Sequence, residues 1–156
     1  MTQQEQDNST TEIEHFMQDR RNFGILHLLG MKIISAEAGT GRVGITVDER
    51  LMHPQQIVHG GVIFTLADTA MSMALVPLLP QGTRFGTIEA KINFMLPVRT
   101  GELLAEGTVV HMGRSTAVME ATVFNIVDGE QRAISKVLGT FSFARPKTAG
   151  EDIDLH

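Results

Sequence analysis

The spacing of apolar residues changes period several times along the chain, and each change marks an element. Ile13, Phe16 and Met17 recur at intervals of three and four, which predicts a short amphipathic helix, and Phe23 to Leu29 continues the stripe until Gly30 stops it. Two β-type runs follow, Met31 to Glu37 and Arg42 to Val47, and the turn-rich Ala38-Gly39-Thr40-Gly41 between them predicts a hairpin. LMHPQQIV, ending at Val58, has no period. Val62 to Leu79 is apolar on nearly every side, which predicts a long buried helix ending near Pro77 and Pro80, where the backbone donor is lost.

From Phe85 onward the period becomes two. Ile88, Ala90, Ile92, Phe94 and Leu96 fall on one face of a strand, and Thr87, Glu89, Lys91 and Asn93 on the other, with Pro97 closing it. Glu102 to His111, Thr116 to Val127 and Gln131 to Phe143 predict three more strands, and Asp128-Gly129 marks a tight hairpin between the last two. The expectation is a helical lead, a hairpin, one buried helix and four strands in an antiparallel meander, an α+β class. A helix apolar all round needs cover on every flank, so the sheet must curl around it or a second subunit must cover it.

Composition narrows this only slightly. With 156 residues, 42% apolar and 20% charged, the chain suits a single globular domain. The polarity of its ends predicts a disordered tail over 1–11, one domain with an N-terminal helix over 12–144, and a C-terminal tail over 145–156. There is no cysteine, which excludes disulfides, thiolate metal sites and cysteine nucleophiles together. A net charge of −5 argues against a nucleic-acid surface, so no nucleic-acid partner is expected. The polar start MTQQEQDNSTTEIE does not read as a secretory signal, and Thr65, Asp68, Thr69 and Ser72 interrupt the apolar helix. A cytoplasmic protein with no membrane partner is expected.

Several motifs are then discounted. Gly39 to Gly44 matches GxGxxG, but a strand-like run follows where a dinucleotide site needs a helix. The six histidines lack helical zinc spacing and no GxSxG elbow is present, so neither a metal nor a serine nucleophile is expected. His59-Gly60-Gly61 directly before the long helix carries more information. Unpaired amides at a helix start attract negative charge, and glycine lets a carbonyl approach closely; the segment is either an oxyanion site or a plain glycine loop entering a helix.

Thr65, Asp68, Thr69 and Ser72 form one polar stripe on the helix. A carboxylate in apolar surroundings is costly unless paired or functional. Asp68 is therefore a nucleophile or general base, or else is held by Lys91 or by a hydroxyl. Gly61 and Asp68 are separated by about 10 Å of helix at 1.5 Å per residue, whereas a base must come within about 3 Å of its proton. If both ends act on one carbonyl, they come from two subunits, which predicts an obligate dimer with shared sites.

HGGVIFTLADTAMSMA, IEAKINFMLPVRTGE and the GRS turn together resemble the phenylacetate-pathway thioesterase family of the hotdog superfamily, over about Met31 to Phe143. That resemblance implies a hotdog fold: a long central helix wrapped by a curved antiparallel sheet, in dimers that commonly pair into dimers of dimers. It implies Asp68 as nucleophile or general base, the Gly60 amide as oxyanion donor with Gly61 assisting, and Thr87 as an orienting hydroxyl. Gly113, Arg114 and Ser115 match a turn near the nucleotide end of coenzyme A, where Arg114, or Arg84 or Lys147 by charge, would meet phosphate. His59 would face the substrate. His53 stands where many members carry asparagine and Gln56 where many carry glycine, so His53 either takes the asparagine's role or signals altered activity.

The expected function is hydrolysis of an acyl- or aryl-acyl-CoA to free acid and coenzyme A, with no metal or redox cofactor. The alternatives are a non-catalytic acyl-CoA-binding module and an enoyl-CoA hydratase, the latter wanting a histidine paired with a carboxylate.

Overall fold

The structure, a computed structural model, describes residues Gly24–Ala144. The tails at 1–11 and 145–156, the predicted helix around Ile13 and Phe16, and Lys147 lie outside the described residues. The first described helix, α1 (Ile25–Leu29), ends on Gly30 in a left-handed conformation, φ 77°, which glycine adopts without strain. The hairpin follows as β1 (Lys32–Glu37) and β2 (Thr40–Thr46), and the aperiodic segment becomes a 3-10 turn, Glu49–Leu51, with two two-residue strands, β3 (Met52–His53) and β4 (Ile57–Val58).

The long helix α2 runs Gly60–Leu75 and tightens into a 3-10 turn over Val76–Leu78, with Pro77 inside it. Four strands complete the chain: β5 (Arg84–Phe94), β6 (Glu102–Met112), β7 (Thr116–Val127) and β8 (Glu130–Ala144). At the β7–β8 hairpin Asp128 and Gly129 both have positive φ, 50° and 81°, which suits the twist of the paired strands.

All main-sheet pairs are antiparallel, in the order β1-β2-β6-β7-β8-β5. This corrects the four-strand meander. Of the last four strands only β6, β7 and β8 are consecutive neighbours; β5 pairs with β8 at the far edge, and the loop after Phe94 carries the chain back to β6 beside β2. A turn after Pro97 is too long for a tight hairpin, so β5 and β6 are free to separate.

The facing expected for β5 also changes. Its register against β8 slips between Thr87 and Glu89, so that Phe85 and Thr87 oppose Phe143 and Phe141, while Ala90, Ile92 and Phe94 oppose Gly139, Val137 and Ser135. The extra residue, Ile88, is 58% exposed. A bulge inverts the alternation beyond it, so Thr87 shares the helix-facing side with Ala90, Ile92 and Phe94.

The core lies between α2 and the sheet. Ala67, Ala70 and Ala74 are fully buried, and Ala70 and Ala74 stack over Gly41 and Gly107, which are partners across β2 and β6. A Cβ on Gly107 would sit 2.5 Å from the Ala70 and Met71 backbone, and one on Gly41 would run into the Ala70 carbonyl. Small residues on both sides bring the helix backbone down onto the sheet, and Phe141, Met119 and Leu103 fill the remaining space.

Candidate active site

His59 enters α2 in an extended conformation, and its Nδ1 accepts the Gly61 N–H at 2.9 Å. A helix start leaves its first amides unpaired, and here the imidazole takes the place of the usual Ser, Thr, Asp or Asn cap. A neutral ring whose Nδ1 accepts carries its proton on Nε2. The Gly60 N–H donates to nothing among the described residues. The expectation of a Gly60 and Gly61 pair is thus corrected: Gly61 is consumed by the cap, and Gly60 is the open donor.

Further along, the helix polar stripe divides by hydrogen bonding. Thr65 Oγ1 donates to the Gly61 carbonyl at 2.8 Å and Thr69 Oγ1 to the Thr65 carbonyl at 2.7 Å, so both hydroxyls turn back on their own helix. Asp68 instead reaches across. Its Oδ1 accepts the Thr87 hydroxyl of β5 at 2.7 Å, and it has no ion pair among the described residues. Of the two ways to hold this carboxylate, the hydroxyl is realised and Lys91 is not. Asp68 is half-buried, with Oδ2 bonded to no group among the described residues.

His53 follows a 3-10 turn capped by Asp48, which accepts the Arg50 N–H at 2.9 Å. The Arg50 guanidinium, bonded to Asp48 at 2.6 Å, holds that carboxyl below the usual carboxylate range. His53 Nδ1 accepts the Gln55 N–H at 3.2 Å, and its ring centroid stands 6.0 Å from that of His59. Within one chain, neither ring is bonded to a carboxylate among the described residues.

Gln56 closes this turn at φ 59°, its amide bonded to the His53 carbonyl at 2.9 Å. A left-handed conformation costs a side-chain-bearing residue about 1–2 kcal/mol, partly offset by the extra unfolded-state freedom of glycine. Gln56→Gly should therefore stabilise the fold by about 0.5 kcal/mol, read as a small rise in denaturation midpoint.

The Gly113–Ser115 turn connects β6 to β7; Gly113 N donates to the Thr116 carbonyl at 2.8 Å and the Ser115 carbonyl accepts the Phe143 N–H at 2.9 Å. Thr116, Ser142 and Gly86 align across β7, β8 and β5, so this turn and the exposed Arg84 sit at the Thr87 end of β5. Phe94 marks the opposite end, with its ring against Gly60. One chain therefore holds its open amide and its carboxylate at opposite ends of one strand. The Phe94 contact escapes sequence reading because simple alternation treats Phe94 as one more core position.

Residues 55–131 match the model of the thioesterase superfamily. The acyl-coenzyme A thioesterase PaaI of Escherichia coli is 33% identical over 112 residues, 71% of this chain and 76% of that one. The chain belongs to the PaaI-like hotdog thioesterases. The 1,4-dihydroxy-2-naphthoyl-CoA hydrolase of Listeria monocytogenes is 32% identical over 101 residues, covering 64% of this chain and 81% of that protein. The solved structure of the E. coli PaaI protein superposes with a TM-score of 0.74 at 28% identity, over 86% of this chain and 93% of that one. This thioesterase thus has the helix-and-sheet arrangement expected of a hotdog protein, and the enzyme is a thioester hydrolase.

Proposed function

We propose that the enzyme hydrolyses acyl-CoA thioesters to a carboxylic acid and coenzyme A. The observation that carries the reading is the Asp68 carboxylate, oriented by Thr87 at 2.7 Å and without a cationic partner among the described residues. Such a carboxylate can take a proton from water or attack the carbonyl itself. The Gly60 N–H would meet the oxygen as it gains negative charge, helped by the helix dipole. The carbon–sulfur bond then breaks, coenzyme A leaves as the thiolate and takes up the proton drawn from water, and the oxygen of that water becomes the new oxygen of the acid. Arg114 and Arg84 at the Thr87 end, both exposed and without ion pairs among the described residues, would meet the phosphates of coenzyme A. His53 and His59, each with Nδ1 occupied, would present Nε2–H donors to the substrate.

The α2 helix is unbroken from Gly60 to Asp68, so these groups are about 12 Å apart along its axis. We infer a dimer in which each site takes Gly60 from one subunit and Asp68 from the other. Strand β5 is an edge, and an edge invites pairing. Antiparallel pairing with a second β5 would lay the Phe94–Gly60 end of one chain on the Thr87–Asp68 end of its partner. Pairs of such dimers would form a tetramer.

Thiol release from a panel of acyl-CoA thioesters tests the reaction, and absence of release across the panel would refute it. Mixing tests the assembly: Asp68→Asn and Gly60→Val, each inactive alone, should regain about a quarter of wild-type activity after co-refolding, because half the dimers carry one intact site. A mixture as inactive as its parents would place both groups of each site in one chain.

A further inference from the structure

The Gly60 amide has a close neighbour to which the reaction scheme gives no task. A Cβ on Gly60 would stand 3.0 Å from Phe94 Cζ, 3.4 Å from Cε1 and 3.5 Å from Cε2, so the ring tip fills the space that any other residue would need. Phe94 is the last residue of β5 and points this way because the bulge at Ile88 inverts the strand's facing. Its cross-strand partner is Ser135, too small to give the ring an apolar bed of its own. Phe94 is nevertheless 54% exposed as a residue, so it borders open space near the place where the Gly60 N–H is also open.

We propose that Phe94 determines specificity at the α carbon of the acyl group, admitting unbranched acyl chains and excluding α-branched ones. The inference rests on acyl-CoA hydrolysis as proposed above. A carbonyl oxygen accepting from Gly60 lies about 3 Å from its nitrogen. The α carbon is two bonds from that oxygen, so its substituents are the first part of the acyl group to reach a ring packed on the same residue. The ring has little room to recede toward Gly60, since even a Cβ added there would stand only 3.0 Å from Cζ. An α-methyl group therefore competes with Phe94 for volume, whereas an α-methylene slides past.

Butyryl-CoA and isobutyryl-CoA, isomers that differ only at the α carbon, separate this from a packing role. Wild type should prefer butyryl-CoA in kcat/KM, and Phe94→Ala should shrink that preference about tenfold, the scale at which a pocket discriminates one carbon. Phe94→Leu should fall between. Gly60→Ala should lose less activity in the Phe94→Ala background than in wild type, since its methyl group then has room. An unchanged ratio in Phe94→Leu, a variant whose melting temperature shows it to be folded, would overturn the proposal even if Phe94→Ala failed to fold. So would a wild type without preference between the isomers. If wild type cleaved neither thioester nor any other of the panel, the acyl-CoA reading itself would fall and this inference with it; cleavage with an unchanged ratio would remove the inference alone.

Discussion

Asp68→Asn should lower kcat for acyl-CoA hydrolysis about 10³-fold, within the range for removing a positioned base or nucleophile. Asparagine matches aspartate in shape and keeps a carbonyl oxygen that can accept the Thr87 hydroxyl, so the tie between α2 and β5 survives. The variant should therefore melt within a few degrees of wild type and bind substrate with nearly unchanged KM. Asparagine cannot take a proton or attack the thioester, and the whole effect falls on the chemical step. Rates of thiol release beside melting curves read the two sides separately. Undiminished turnover would remove Asp68 from the mechanism, and a collapse of stability would reassign it to holding the fold.

The second large effect concerns stability. Gly107→Ala should destabilise the protein by about 3 kcal/mol, the upper part of the range for forcing volume into a packed core. Its methyl group would stand 2.5 Å from the backbone of Ala70 and Met71, in the middle of α2, where nothing can rotate away. Relief requires lifting the helix off the sheet, which would open the fully buried Ala67, Ala70 and Ala74 contacts together. Gly44→Ala supplies the contrast. Its methyl group would press on the movable tip of the Ile34 side chain at 3.0 Å and meet the Leu103 carbonyl at an ordinary contact distance of 3.6 Å, and its cost should stay below about 1 kcal/mol. Denaturant midpoints would rank the two variants, and equal costs would show that the helix does not rest on Gly107.

Much of this was legible in the chain, because the relevant signals are local. Gly30, Asp128-Gly129 and the Val62 to Leu79 run report backbone conformation and burial that neighbouring residues decide; the turns stand where they were expected, and the helix ends at Leu75, two residues before Pro77. The rest depends on partners distant in sequence. Nothing near Phe85 says that β5 will pair with β8 rather than β6, since strand order is settled by packing over the whole sheet. The slip at Ile88 is likewise invisible to a period-two count, which assumes an unbroken pleat. At the site, the Thr87 to Asp68 bond agrees with the residues that the family resemblance marks. The His59 cap was missed because histidine is an uncommon cap, and with it the reason that only one of two adjacent glycines keeps a free amide.

The extra residue in β5 has a broader consequence. It makes one continuous strand behave as two half-strands in opposite phase, the earlier half holding Thr87 toward the carboxylate and the later half holding Phe94 toward the open amide. Removing Ile88 would leave a regular strand in which Thr87 and Glu89 oppose Phe141 and Thr140 directly, so that Thr87, Ala90, Ile92 and Phe94 alternate in one phase and still face the helix. The bulge is therefore what lets Thr87 and Phe94 share a face although they stand seven positions apart, an odd number that an unbroken pleat would send to opposite faces.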